Sequence, residues 1–123
     1  MVSRSDRDVP FDIKKRTFLF AVRIVQLVGR LLRTVAGIEI GRQLIRAGTS
    51  VGSNVEEADG AVSRNDFINH TRIARKEARE SRFWLSLIDA AELLRGPEVS
   101  TLMQEAGELA RILSKIAIAA SRE

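Results

Sequence analysis

The chain has 123 residues, with 20 lysines and arginines against 16 aspartates and glutamates, and no cysteine. This length suits one domain built around a single core, and the absence of cysteine excludes a disulfide framework and thiolate chemistry. No stretch is typical of a secretory signal or a membrane span, because the apolar residues 17–28 are interrupted by Arg23, so we expect a soluble cytoplasmic protein without a membrane partner.

The first predicted helix covers residues 13–33 and follows a flexible basic tail at residues 1–12. Its apolar residues form two adjacent stripes at helical spacing: Phe18, Val22, Val25 and Leu32 beside Phe20, Ile24, Leu27 and Leu31. A helix in a monomeric bundle needs an apolar stripe only about 100° wide. The wider coverage predicts burial on two sides, against the helix's own bundle and against a neighbouring subunit. A helix deeply embedded in one bundle is the alternative.

The second predicted helix, at residues 40–58, follows a loop at residues 35–37 and is built largely from small side chains. Each glycine inside a helix costs about 1 kcal/mol relative to alanine, so tertiary packing must stabilise this helix. We expect the third helix to be its close partner in an antiparallel hairpin. Facing residue numbers should then sum to about 124, which places Ser50 opposite Ala74 and Gly48 close to Ala78.

Capping residues delimit the third and fourth helices. Ser63 is a typical N-cap for a third helix over residues 64–94. The Gly96-Pro97 pair ends that helix and allows a fourth to begin directly afterwards. The amphipathic fourth helix closes an all-α, antiparallel up-down-up-down four-helix bundle, which we predict as a single domain over residues 13–121.

His70, the only histidine, is the one side chain that suggests a metal or acid-base site. Asp66 and Glu77 share its helical face, and the hairpin register brings Asn54 nearby. Di-iron bundles use two Glu-x-x-His motifs, and this chain lacks the second histidine. We therefore predict no catalytic, cofactor or metal site and keep a site around His70 as a remote alternative. Asn54 then has a structural use, as a hydrogen-bond partner of Thr71 or His70.

Basic residues on the third helix form the candidate nucleic-acid-binding surface. They recur at three- and four-residue spacings, and two arginines of the second helix can extend the set. The candidates are Arg42, Arg46, Arg72, Arg75, Lys76, Arg79 and Arg82. Such a ridge would bind RNA or DNA phosphates with strong salt dependence and little base selectivity. Glu77 and Glu80 interrupt it, so a solvated charged face is the alternative interpretation.

A combination of residues spread over the second and third helices resembles the signature of the bacterial four-helix-bundle family associated with intervening sequences in 23S ribosomal RNA genes. The similarity covers about residues 14–120. The matching positions are Ser50, Val51, Asn54, Glu56, Glu57, Gly60, Ser63, Asp66, Phe67, Ile68, Ile73, Ala74, Lys76, Glu77, Ala78, Glu80, Ser81, Trp84 and Leu85. We expect Trp84 to be a packing anchor. The chain departs from the family pattern at Gly48, where alanine is frequent, and at Arg75, where an apolar residue is frequent.

The resemblance implies an up-down-up-down bundle and a closed ring of five identical subunits. The accessory protein of diversity-generating retroelements has a similar architecture and binds nucleic acid and reverse transcriptase. For this chain we predict a non-enzymatic oligomeric scaffold or accessory protein whose partner is itself. A nucleic-acid-binding accessory protein that engages RNA or DNA is the alternative. We expect no cofactor and no small-molecule substrate.

Overall fold

Four helices make up the computed structural model, which describes residues 9–122. They are α1 (Phe11–Val28), α2 (Val35–Ala58), α3 (Arg64–Ala90) and α4 (Glu98–Ser121), and the described range contains no strand. α3 packs extensively against α2 and α4, whereas α1 packs against α2 and more lightly against α4. The predicted four-helix bundle is confirmed. Within the same range, every helix falls short of the length or apolarity needed to span a bilayer.

The connection between α1 and α2 differs from the sequence prediction. α1 ends at Val28, five residues before its predicted end, and α2 begins at Val35, five residues early. The Thr34 hydroxyl accepts a hydrogen bond from the Gly37 amide at 3.1 Å and thereby caps α2. A Cβ on Gly37 would lie 1.9 Å from the Leu32 carbonyl oxygen, so this glycine permits a close turn. The loop predicted at residues 35–37 is wrong, because the cap outweighs the low helix propensity of glycine.

The end of α3 also lies earlier than predicted. The helix stops at Ala90, four residues before its predicted end, because Glu92 adopts a left-handed backbone with φ of 55°. The Leu93 amide donates to the Ile88 carbonyl at 3.0 Å, which closes the helix, and the Leu93 side chain is buried. α4 begins directly after Pro97, as predicted.

The α2–α3 hairpin has the predicted register. Asn54 contacts His70 and Arg46 contacts Glu77, pairs whose residue numbers sum to 124 and 123. The small and apolar residues of this hairpin's inner faces are fully buried: Ala47, Val51, Ala74 and Ala78. Two short side chains on each helix therefore let α2 and α3 pack closely around their polar pairs.

The glycines of α2 pack against α1 and not against α3, which corrects the sequence prediction for Gly48. A Cβ on Gly48 would lie 2.9 Å from two side-chain carbons of Ile24, and one on Gly52 would lie 3.3 Å from the Thr17 carbonyl oxygen. Each of these glycines directly follows a residue that faces α3, Ala47 or Val51, and is therefore rotated by about 100° around the helix. α2 is thus closely packed on two sides, by alanine towards α3 and by glycine towards α1.

Ion pairs connect α1 to α4, the pair of neighbouring helices with the lightest backbone contact. The Arg16 guanidinium donates two hydrogen bonds to the Glu105 carboxylate, at 2.6 and 3.1 Å. These hydrogen bonds raise the pKa of Arg16 above its ordinary value. Arg30, just beyond the end of α1, pairs with Glu98 at the start of α4. Ion pairs therefore connect the two helices near the start of α1 and just beyond its end.

The start of α1 is joined to the end of α2 through one carboxylate. The Val9 amide and the Lys14 ammonium both donate to Asp59, at 3.2 and 2.7 Å. Val9 is buried, so the bundle begins before the predicted domain boundary at residue 13. The flexible basic tail predicted for residues 1–12 lies mainly outside the described residues, and for residues 1–8 its flexibility stays a prediction. Its description as basic is wrong, because residues 1–12 hold two arginines against three aspartates.

Only one of the two apolar stripes of α1 enters the core. Phe20 and Ile24 are almost completely buried, whereas Phe18 and Val25 are 67% and 50% exposed. The exposed stripe continues past the end of α1 into a depression beside α2, lined by Leu32, Ile38 and Ile45. Within one chain α1 is therefore not embedded on all sides, and burial of this stripe by a neighbouring subunit stays a prediction.

We expect Gly48→Ala to lower the free energy of unfolding by about 1 kcal/mol. The gain in helix propensity is about 1 kcal/mol, but overpacking against Ile24 costs roughly 1–3 kcal/mol. Gly107→Ala is the matched control, because it lies inside α4 and its Cβ would make only ordinary contacts, the nearest 3.5 Å from Arg82. Urea unfolding at one protein concentration measures both. Equal stabilisation by the two substitutions would contradict close packing at Gly48.

Candidate nucleic-acid interface

An open groove between α3 and α4 is lined by four arginines among nine residues. We call it the arginine groove, and its volume is about 610 Å³. α3 contributes Arg75, Arg79, Arg82, Phe83 and Ser86, and α4 contributes Gly107, Ala110, Arg111 and Ser114. Three of the predicted nucleic-acid-binding residues thus share one groove with an arginine of another helix.

The arginines reach the groove because of their position relative to the core. Ala74, Ala78 and Ser81 of α3 are fully buried, and each is followed directly by an arginine, at residues 75, 79 and 82, on the side that faces α4. Arg82 extends across α4 at Gly107, where its guanidinium atoms lie 3.5–3.8 Å from the position that a Cβ would take. Because a Cβ at this position would make only ordinary van der Waals contact, Arg82 lies directly against α4 without overpacking.

The positive charge of the groove is poorly compensated. Among the described residues, no carboxylate forms an ion pair with Arg75, Arg79 or Arg82, whereas Arg111 pairs with Glu108 one turn away. The Arg75 Nε is buried and has no hydrogen-bond acceptor in the described part of the chain. Close like charges repel one another, so an anion in the groove would lower the electrostatic energy and accept hydrogen bonds from the exposed guanidiniums of Arg79 and Arg82.

The other candidate residues on α3 are divided by the fold. Arg72 lines a neighbouring depression with Arg64 and with Ser121 at the end of α4, so it extends the basic surface along the same pair of helices. Lys76 is exposed and lines neither depression. Positive charge therefore follows the α3–α4 side over several turns.

The two candidates on α2 lie elsewhere and do not extend the groove. Arg46 donates to Glu77 at 3.1 Å and also to Glu80, so it joins α2 to α3. The hydrogen bond to Glu80 is the main cause of a raised Arg46 pKa. Arg42 lines the apolar depression between α1 and α2. The two glutamates thus face α2, and they do not interrupt the arginine groove.

The residues around His70 form a polar chain and do not converge on one point. His70 Nδ1 lies 3.1 Å from Asn54 Oδ1, and His70 Nε2 lies 3.4 Å from Asp66 Oδ1. The Asn54 amide donates to the Ser50 carbonyl at 2.9 Å. Glu77 instead belongs to the Arg46 pair. No three potential metal ligands are grouped anywhere in residues 9–122.

The predicted hydrogen bond between Asn54 and His70 is confirmed. The other predicted partner, Thr71, donates instead to the Phe67 carbonyl of its own helix at 2.8 Å. The Asn54–His70 contact joins α2 to α3 in their half-buried interface, so it helps to set the hairpin register.

Most residues of the sequence signature help to pack or cap the helices. Phe67 is in the core, and Ser63 caps α3 by accepting a hydrogen bond from the Asp66 amide at 3.1 Å. Trp84 packs against the core, as predicted, although its buried indole N–H has no acceptor in the described residues. Glu57 is exposed. The signature therefore reports mainly on how the helices pack.

Phe83 is a groove residue that the sequence interpretation missed. It is 58% exposed and lies beside the arginines, with its ring packed edge-to-face on Trp84 at 5.0 Å between centroids and 77° between planes. Its place one turn after Arg79 was the available signal.

Comparison with known proteins agrees with this architecture. The family model described as 23S rRNA-intervening sequence protein matches residues 10–115. The chain belongs to this family. A similar solved structure is that of a protein of unknown function from the S23 ribosomal protein family of Bacteroides thetaiotaomicron. The two sequences are 36% identical, the TM-score between the two structures is 0.79, and the match covers 85% of this chain and 97% of the Bacteroides protein. No curated protein matches.

We expect Arg46→Met to lower the free energy of unfolding by about 1–3 kcal/mol. The Glu77 side chain is only 7% exposed and would lose its ion-pair partner. Glu77→Gln in the same chain should restore most of the loss, because it removes the unpaired charge. Glu80→Gln removes the more exposed partner and should cost less than about 1 kcal/mol. Denaturant unfolding that gives equal losses for Arg46→Met and Glu80→Gln would contradict a special role for Glu77.

Proposed function

We propose that this family member is a non-enzymatic accessory protein that binds nucleic acid phosphates in the arginine groove. The observation that carries the proposal is the set of three neighbouring guanidiniums, at residues 75, 79 and 82, without a carboxylate partner in the described chain. Arginine presents several fixed donors that match phosphate oxygens, and it stays charged at any physiological pH. The groove thus has the charge and the donors for a phosphodiester backbone.

The spacing of the arginines suits a chain of phosphates. At a rise of about 1.5 Å per residue, Arg75 and Arg82 are about 10 Å apart along α3. One nucleic-acid strand places a phosphate about every 3.4 Å along a helix axis, so the groove spans about three of them. Neutralising three phosphates of a single strand corresponds to a slope of about −2 when the logarithm of the binding constant is plotted against that of the salt concentration.

We expect the double variant Arg75→Gln/Arg79→Gln to bind nucleic acid at least about tenfold more weakly and to reduce the salt slope by about 1.4. The control Lys15→Gln/Arg95→Gln removes the same charge at exposed positions outside the groove and should keep the slope. Fluorescence anisotropy over a salt series measures both quantities.

Two results would contradict this proposal. One is an absence of binding at low salt by a correctly folded wild-type protein. The other is an equal effect of the groove variant and the control variant, because that would assign binding to net charge and not to the groove.

We also propose that the protein associates with copies of itself through the outer side of α1 and α2. Phe18, Val25, Leu32, Ile38 and Ile45 are large apolar side chains exposed on this side. Contiguous exposed apolar surface on a small protein is typical of an interaction site. In a ring this surface would contact a different patch of the next subunit, because head-to-tail interfaces are heterologous. A ring of five subunits is the assembly that the family resemblance implies.

We expect Val25→Asp to weaken self-association by more than tenfold, because it places an unpaired carboxylate in the apolar contact. Val62→Asp is the control, since Val62 is highly exposed in the α2–α3 connection and is not one of the five residues of this apolar surface. Sedimentation equilibrium at micromolar concentration measures the mass. A wild-type mass equal to one chain would refute the assembly, and equal dissociation by both variants would refute the assigned surface.

A further inference from the structure

The position of Phe83 points to a more specific ligand for the arginine groove. We propose that the groove binds single-stranded nucleic acid, with one unpaired base stacked on the Phe83 ring while the neighbouring arginines hold the phosphates. This inference rests on the proposed nucleic-acid binding and adds the class of strand. The juxtaposition that carries it is an exposed aromatic ring in the same groove as Arg75, Arg79 and Arg82.

Phe83 is held in position although it is exposed. Its ring packs edge-to-face on Trp84, which in turn packs against the core. Such aromatic pairs have a preferred geometry and restrict the motion of the exposed ring. The remaining surface of the Phe83 ring is open to the groove side, where it can receive a flat, apolar partner without a rearrangement of the fold.

Base and arginine chemistry together favour a single strand. Sequence-tolerant single-strand binding sites combine positive charge along the backbone with aromatic rings on which bases stack. In a duplex the faces of the bases are covered by their neighbours, so Phe83 would have no base face to contact. A duplex would gain only the phosphate contacts in this groove, whereas an unpaired strand would gain both.

The fold itself disfavours the usual route to duplex recognition. A helix that reads a duplex enters the major groove and exposes a broad face there. α3 packs extensively against α2 and α4 on two sides, which leaves a narrow outward strip with basic residues. The neighbouring helices limit how deeply α3 could enter a major groove about 12 Å wide.

The groove also provides polar groups for a sugar or phosphate. The Ser86 hydroxyl donates to the Arg82 carbonyl at 2.8 Å, so the lone pairs of its oxygen remain available to accept a hydrogen bond. Ser114 lies on the opposite wall. Together with the exposed guanidiniums of Arg79 and Arg82, these hydroxyls offer both donors and acceptors to a nucleotide next to the stacked base.

The test uses the full chain, Phe83→Leu and Phe83→Tyr. Anisotropy titrations use 20-nucleotide single-stranded RNA, single-stranded DNA of the same sequence and the corresponding DNA duplex. Wild type should bind single strands at least about tenfold more tightly than the duplex. Phe83→Leu keeps the apolar volume without an aromatic face, so it should lose most of that preference while keeping the salt slope. Phe83→Tyr should retain it.

A second measurement reports stacking directly. A single strand that carries 2-aminopurine loses fluorescence when the base stacks, and this quenching should occur with wild type and Phe83→Tyr and be absent with Phe83→Leu at saturating protein. Sedimentation of the three proteins should give the same mass. A Phe83→Leu mass below that of wild type would assign Phe83 to subunit packing and overturn the inference.

The outcomes separate the inference from the function on which it rests. If wild type binds single strand and duplex equally, and Phe83→Leu changes neither, phosphate binding stands and the single-strand inference fails. If wild type binds none of the three probes at low salt, the proposed function fails, and the inference fails with it. Equal loss of affinity for all probes in Phe83→Leu would show a structural role and would also overturn it.

Discussion

The close packing of α2 between two neighbours is the constraint on which the rest of the bundle depends. Glycines bring α2 close to α1, and alanines bring it close to α3, so both neighbours are held in fixed registers. α1 packs mainly against α2 and more lightly against α4, and ion pairs such as Arg16 with Glu105 lie at the margin of the α1–α4 contact. The same packing leaves one apolar stripe of α1 outside the core. The free surfaces of the molecule thus follow from how α2 is packed.

The register of α3 also determines which of its charges are free. On the side that faces α2, Glu77 and Glu80 are paired with Arg46. On the side that faces α4, Arg75, Arg79 and Arg82 have no such partners in the described chain. Across the groove, Arg111 of α4 pairs with Glu108 of its own helix. One helix therefore carries compensated charge on one edge and uncompensated charge on the other. A net charge of +4 for the whole chain conceals this separation.

Local signals predicted most of the fold. The misplaced helix ends came from competing local signals, whereas the composition of the groove depends on long-range contacts. The Ser63 cap, the Gly96-Pro97 pair and the helical periodicity place the helices, because each is a property of adjacent residues. The early start of α2 required a choice between Thr34 as a cap and Gly37 as a breaker. The spacing of the arginines on α3 was visible in the sequence. Gly107, against which Arg82 lies, is more than 20 residues away in the sequence. No local sequence pattern identifies which edge of α3 will be covered by α4.

The arginine groove is built from two consecutive helices of the same chain, so each copy of the protein carries a complete site. Assembly would then multiply the number of sites, and no site would depend on a neighbouring subunit for its residues. A nucleic-acid strand long enough to reach a second groove would meet it at a high effective concentration, which raises avidity without any new kind of contact. The length of the bound strand, more than its base sequence, would then decide how tightly it is held.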